Sequence, residues 1–181
     1  PNTYEMYWTT DAEAVLARMK KEYDRFWTDE RKAKARSLGL SQYEVVTLAS
    51  IVESEQRMHK SEQSRIAGLY LNRIRRGMKL QSDPTVIFAV GDFSINRVLT
   101  KQLGFESPYN TYRNAGLPPG PILLPGISAV DAVLNAEKHN YIFMCAREDF
   151  SGYHYFSSTL SEHNRYARMY REALNRKNIY R

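Results

Sequence analysis

The eleven residues GLPPGPILLPG, positions 116–126, constrain this chain more than any other segment. They hold seven of its 16 Gly and Pro residues. Four prolines in such a run remove amide donors and fix φ, so neither a regular helix nor an interior strand can pass through it. Ile122, Leu123 and Leu124 lie inside the same run. Three consecutive large apolar side chains require burial, which predicts an ordered loop laid on the core and not a free linker.

Regular structure must therefore lie on either side. Upstream, Ala12, Val15, Leu16, Met19, Tyr23, Phe26 and Trp27 recur at helical intervals. They predict one long helix from Thr10 to about Arg36, opened by the capping-box spacing of Thr10 and Glu13 and stopped at Gly39. Ser41 and Glu44 repeat that box before a second helix striped by Val45, Leu48, Ala49 and Val52. A third runs from about Ser61 to Arg76, with Ile66, Leu69, Tyr70 and Ile74 inside and Gly77 at its end. Met78–Ser82 reads as a short strand. Asp83-Pro84 then reads as an N-cap and first-turn proline, opening a helix through about Ala89. Downstream, a short helix spans Ser128 to about Glu137. Tyr141–Ala146 and Tyr153–Ser157 read as strands that can pair as a hairpin, and a last helix runs from about Leu160 towards Lys177.

The fold class is thus α+β: a single compact helix-rich domain with a small sheet or hairpin and a long ordered Gly/Pro-rich loop. Residues 1–40 read as a helical lead-in to a unit at 41–181. A chain of 181 residues with 43% hydrophobic and 25% charged side chains can build a real core and is not compositionally disordered. No apolar run approaches the roughly 18 residues of a membrane helix. The chain opens on Pro1 without an initiator Met, which reads as a piece of a longer protein.

Several chemistries find no support. The single Cys145 excludes an internal disulfide and a cysteine metal cage. His59, His139, His154 and His163 lack metal-ligand spacing, and no HExxH, P-loop, GxGxxG or GxSxG string occurs. No metal or cofactor is expected. The net charge of +6 raises nucleic acid, anionic membrane or an acidic polymer as partners. Its distribution is uneven. Residues 18–36 carry a net +4 and 165–181 a net +5, whereas 37–164, which holds every motif below, has 12 charges of each sign. That argues against a nucleic-acid groove built by the motifs, and nucleic acid is not expected as a partner. Thirteen tyrosines against seven phenylalanines suit a half-wet binding surface, or ordinary partly buried packing.

Four clusters could carry chemistry. In LASIVESE, Glu53 follows Ala49 by four positions, at the edge of the apolar stripe. Partial burial there would raise its pKa and suit a general acid, while the plain alternative is a solvated rim glutamate. Glu55 lies on the opposite rim, about 200° round the axis, so the two cannot work as a facing pair and geometry does not rank them. Gln81-Ser82-Asp83-Pro84-Thr85 sits at a helix start, as a cap or as N–H groups offered to a substrate oxygen. Ser107-Pro108-Tyr109-Asn110-Thr111-Tyr112 mixes aromatic faces with hydrogen-bonding groups, as sugars require and as loops also show. His154 and Thr159-Leu160-Ser161-Glu162-His163-Asn164 form the last cluster, with Thr159 and Glu162 again at capping-box spacing.

Taken in order, LASIVESE, LYLNRIRRGMKLQSDPTVIFAVG, SPYNTYRNAGLPPGPILLPG and HYFSSTLSEHN resemble the endolytic murein transglycosylase (YceG-like) family from about Ser41 to Asn164. The opening PNTYE resembles the segment that leads into this region. The resemblance implies a cell-envelope enzyme that cuts the glycan strands of peptidoglycan between N-acetylmuramic acid and N-acetylglucosamine. The muramic acid 6-hydroxyl attacks its own anomeric carbon and leaves a 1,6-anhydro end. One carboxyl then suffices, first as acid and then as base. The family's glutamate after the apolar SIV maps onto Glu53 as the catalytic residue, with Glu55 ranked second. Gln81, Ser82, Asp83, Thr85, Tyr109, Asn110, Tyr112, His154, Phe156, Thr159, Glu162, His163 and Asn164 carry over as site-lining residues. Two departures stand out: VESEQ replaces the commoner VEKET, and Phe88 stands where tyrosine is frequent.

The resemblance further implies a membrane anchor and a small LysM-like subdomain upstream of Pro1, on the periplasmic side of the inner membrane, and contact with cell-wall synthesis proteins. A muramidase that uses water and a second carboxylate, and a non-catalytic glycan-binding scaffold, are the alternatives.

Overall fold

A computed structural model describes residues 2–95 and 97–177. Pro1, Asn96 and 178–181 lie outside the described residues, and with them Arg181 of the basic C-terminal stretch and the first residue of PNTYE.

The centre is α3 (Gln42–Glu55). Ser41 opens it with the expected capping box: its hydroxyl accepts from Glu44 N, and the Glu44 carboxyl accepts from Ser41 N. Val45, Leu48, Ala49, Ile51 and Val52 are fully buried, and Thr47 and Ser50 are buried beside them. A helix apolar over most of its circumference must be covered on several sides. Here α7 (Ile127–Leu134), α4 (Gln63–Arg75), α5 (Asp83–Val90) and α2 (Asp29–Leu38) cover it.

The long N-terminal helix divides in two. α1 (Ala12–Phe26) is capped by Asp11, whose carboxyl accepts from Ala14 N, and not by Thr10. The chain breaks at Trp27 and restarts at α2, where the Thr28 hydroxyl accepts from Arg31 N. Burial of Trp27, 2% exposed, wins over continued helix at that point. α1 buries no residue fully, but Trp27, Ala35 and Leu40 belong to the same core as α3. Gly39, at φ 75°, closes α2 in the left-handed conformation glycine tolerates.

Residues 78–82 form no strand. Their carbonyls serve a side chain instead: Arg73 Nη1 donates to Lys79 O (3.0 Å) and Leu80 O (2.7 Å). Helix α5 has Ser82 at the N-cap position, with Asp83 and Pro84 inside the first turn. A four-residue helix, α6 (Thr100–Leu103), interrupts the irregular stretch that follows.

The Gly/Pro-rich loop is tied to α3 at its middle. Ile122 N donates to Ser50 Oγ (3.0 Å), and Tyr43 Oη donates to Pro119 O (3.0 Å). Gly120 lies so close to Tyr43 that an added Cβ would come within 2.5 Å of the phenol oxygen. Ile122 is buried, but Leu124 is 75% exposed, because the loop turns it outward beside Ile127. Strands β1 (Phe143–Ala146) and β2 (His154–Ser157) pair antiparallel, Met144 opposite Phe156 and Ala146 opposite His154. α8 (Leu160–Arg176) packs on this hairpin. Among the described residues no helix is long and apolar enough to cross a membrane.

Candidate active site

Four elements converge on a groove of about 500 Å³: the end of α3, one face of α4, the turn into α5, and the hairpin with the start of α8. Two carboxyls line it, Glu55 and Asp83, and Glu55 is the one at the end of α3. As the last residue of α3 it is half-buried, and two hydroxyls donate to the same oxygen, Oε1: Ser82 Oγ at 2.5 Å and Tyr70 Oη at 2.7 Å. The other oxygen, Oε2, takes no hydrogen bond from the described residues. Burial raises the Glu55 pKa above the ordinary carboxylate range, and nearby Asp83 pushes in the same direction, while the two hydroxyls and His154 oppose it. Burial and the Glu55 charge in turn push the Tyr70 phenol well up, so it remains a donor.

Each support is itself fixed. Ser82 N donates to Thr111 Oγ1 (3.0 Å), and Thr85 Oγ1 donates to Ser82 O (2.7 Å). Ser82 occupies an N-cap position yet turns its hydroxyl to Glu55 and makes no capping bond. Gln81 before it holds φ 53°, a left-handed conformation costing a non-glycine residue about 1 kcal/mol or more. It is held there by Gln81 N donating to Thr111 O (3.1 Å) and by Arg73 Nη1 donating to Gln81 Oε1 (3.2 Å). Tyr112 Oη donates to Asp83 Oδ1 at 2.6 Å, and burial together with Asp83 raises that phenol.

On the hairpin side a buried carboxyl, Glu62 at 5% exposure, organises His154. His154 Nδ1 lies 3.0 Å from Glu62 Oε2, and His154 N donates to Oε1 at 3.1 Å. Gln56 Nε2 also donates to Glu62 Oε2 (2.9 Å) and to Gly152 O (2.9 Å). The Glu62 carboxyl thereby fixes the orientation of the His154 ring on the groove wall. His163 stacks on Phe143, ring centroids 5.2 Å apart, and its Nδ1 is buried without a partner.

The structure thus brings Glu55, Gln81, Asp83, Tyr112, His154, His163 and Asn164 to one groove, with Ser82 bonded to Glu55 behind its wall. Other residues named from the sequence lie elsewhere. Glu53 points to the opposite side, where its Oε2 accepts from Gly126 N (2.7 Å) at the start of α7. Thr85 is buried under Ser82. Tyr109 packs on Phe88, centroids 4.8 Å apart. Asn110 is buried and holds its loop through Leu103 O and Phe105 O. Phe156 packs against the core beside Tyr141. Thr159 caps α8, and the Glu162 carboxyl accepts from the Thr159 hydroxyl.

Tyr70, Arg73, Glu62 and Gln56 did not emerge as site residues from the sequence. Glu62, Ile66, Tyr70 and Arg73 share one face of the third helix and its preceding turn. Charged residues continuing an apolar stripe at three- and four-residue spacing are the signal that could have found Glu62 and Arg73.

A half-buried carboxyl with one oxygen held and the other open defines a site suited to general acid chemistry. The chain belongs to the YceG-like family, whose model matches residues 1–169. It is 36% identical over 168 residues to a Bacillus subtilis protein named endolytic murein transglycosylase, covering 93% of this chain and 45% of that protein. A Streptococcus pneumoniae protein of the same name is 31% identical over 169 residues, covering 91% of this chain and 30% of that protein. The crystal structure of a yceG-like protein from Listeria monocytogenes superposes with a TM-score of 0.78 at 36% identity, covering 91% of this chain and 52% of that one. The chain spans less than half the length of these curated relatives.

Proposed function

We propose that this chain is the catalytic unit of a lytic transglycosylase that cleaves peptidoglycan glycan strands internally, with Glu55 as the acid and then the base. The observation that carries this reading is the held and desolvated Glu55 carboxyl. Its pKa is raised, so the neutral form persists to higher pH, and Oε2 is the oxygen free to carry a proton into the groove. That proton passes to the glycosidic oxygen as the bond to the muramic acid anomeric carbon breaks, which frees the N-acetylglucosamine side as an alcohol. The 6-hydroxyl of the same muramic acid bonds to that carbon. Its proton returns to the Glu55 carboxylate, leaving a 1,6-anhydro ring and a regenerated acid. Ser82 and Tyr70 stabilise the carboxylate between the two transfers. The sequence resemblance ranked Glu53 first. Its bond to the α7 N-terminus supports a capping role instead, favourable at the positive end of a helix.

Digestion of purified peptidoglycan followed by mass analysis tests the reaction. Anhydro-muropeptides, each lighter by one water than a reducing end, are the expected products. Asp83 supports a second reading. It is another carboxyl on the groove, held by Tyr112, and could activate water in a muramidase. Reducing ends in place of anhydro ends would select that reading.

Ser82→Ala tests the support of Glu55. The lost hydrogen bond lowers the pKa, so its removal moves Glu55 further up. Expected are about a tenfold loss in kcat/KM, from one hydrogen bond to an ionisable group, and an alkaline limb of the kcat profile displaced to higher pH. An alkaline limb left in place would separate Ser82 from Glu55 ionisation.

A further inference from the structure

Arg73 is 6% exposed, and no carboxylate lies within ion-pairing distance of it among the described residues. Burying a guanidinium without a counterion is unfavourable, and a guanidinium stays charged. Its bonds are all to neutral acceptors. Nε donates to Ile142 O (2.7 Å), and Nη1 to Lys79 O, Leu80 O and Gln81 Oε1. Those bonds account for a structural staple between α4, the turn into α5 and β1. They leave Nη2 unspent: it donates to none of the described residues and is not among the buried unpartnered atoms. Arg73 lines the groove, 5.5 Å from the Phe143 ring centroid, and His163 stacks on that ring. The neighbouring His163 is held below its ordinary pKa by burial and by Arg73. Among the described residues that line the groove, Arg73 is the one Arg or Lys, and it keeps free hydrogen-bonding capacity on the wall that also carries Glu55.

We propose that Arg73 reads a carboxylate carried by the glycan substrate, so that the groove selects muramic acid units by the acid group on their side arm. This rests on the glycan-cleaving reading above and adds a specificity determinant to it. Two substrate carboxylates share the chemistry: the lactyl group of a strand stripped of peptide, and the stem peptide of an intact strand.

The test is a cycle between protein and substrate. Stripped and peptide-bearing strands are each offered with carboxylates free or converted to amides. Binding is followed on protein carrying Glu55→Gln, so that strands stay intact, and cleavage on protein with Glu55 present. Amidation is expected to weaken binding about tenfold, the scale of one charge-assisted bond. Arg73→Gln is expected to weaken binding to unmodified strands by the same factor and to add nothing on amidated ones. The strand type on which amidation acts names the carboxylate. Arg73→Lys, which keeps the charge, recovers part of the preference.

Equal losses for Arg73→Gln on free and amidated strands would reduce Arg73 to a staple, and parental indifference to amidation on both strand types would overturn the proposal without any variant. Absence of cleavage by the parent, with carboxylate-dependent binding intact, would instead fault the catalytic reading.

Discussion

Glu55→Gln lowers kcat on peptidoglycan strands by about a thousandfold or more, the scale of losing a positioned general acid that also serves as base. KM changes little, because glutamine keeps the shape and can still accept from Ser82 and Tyr70. The stability of the variant makes the result specific. A carboxyl whose pKa is raised on folding destabilises the native state above its folded pKa, and that cost vanishes below the unfolded pKa. Glu55→Gln is therefore expected to match the parent in acid and to exceed it in stability once pH has risen through the Glu55 pKa. The paired control is Glu53→Gln. It weakens the tie to Gly126 N, costs on the order of 1 kcal/mol of stability, and leaves kcat within a few-fold. The reverse pattern, with Glu53→Gln inactive and Glu55→Gln active, would return the acid to Glu53.

Trp27→Ala is expected to cost about 3–5 kcal/mol, the range for deleting a buried aromatic from a core. Trp27 packs edge-on against Phe26, centroids 5.5 Å apart, and joins the core formed by α3, α4 and α7. A total stability of about 5–15 kcal/mol leaves little after that loss. Urea unfolding should show a single transition with a lower midpoint and an unchanged slope. A loss below about 1 kcal/mol, or two separate transitions, would make residues 1–40 a detachable lead-in.

Local signals carried much of this structure into the sequence. Ser41 with Glu44 and the left-handed Gly39 mark helix ends by interactions confined to four residues, and both are where the sequence placed them. The hairpin is likewise legible, since two short apolar runs face each other across a turn. The break at Trp27 was hidden because no Gly or Pro interrupts residues 11–38, and only tertiary burial rewards stopping there. The strand expected at 78–82 failed for a related reason: the β-like run met the Arg73 guanidinium and not a partner strand. The site was legible as motifs and not as geometry. Glu53 and Glu55 are both on the rim of one stripe, and which rim faces the groove depends on where Ser82 and Tyr70 fall in space. Glu62 and Arg73 stayed invisible because a charge on an apolar face earns its meaning only from the partner it meets.

Four successive ties leave the second half of α3 and its C-cap: Ser50 to the Gly/Pro-rich loop, Glu53 to the start of α7, Glu55 to Ser82 and Tyr70, and the capping Gln56 to Glu62 and the hairpin. Each leaves at its own angle round one helix, like teeth on a key. A single inserted or deleted residue between Ser50 and Gln56 would rotate everything beyond it by about 100°. No one of the four locks could then be met without abandoning another. Length variation among related chains should therefore be excluded from these seven positions, while the exposed stretch after α5 can absorb it.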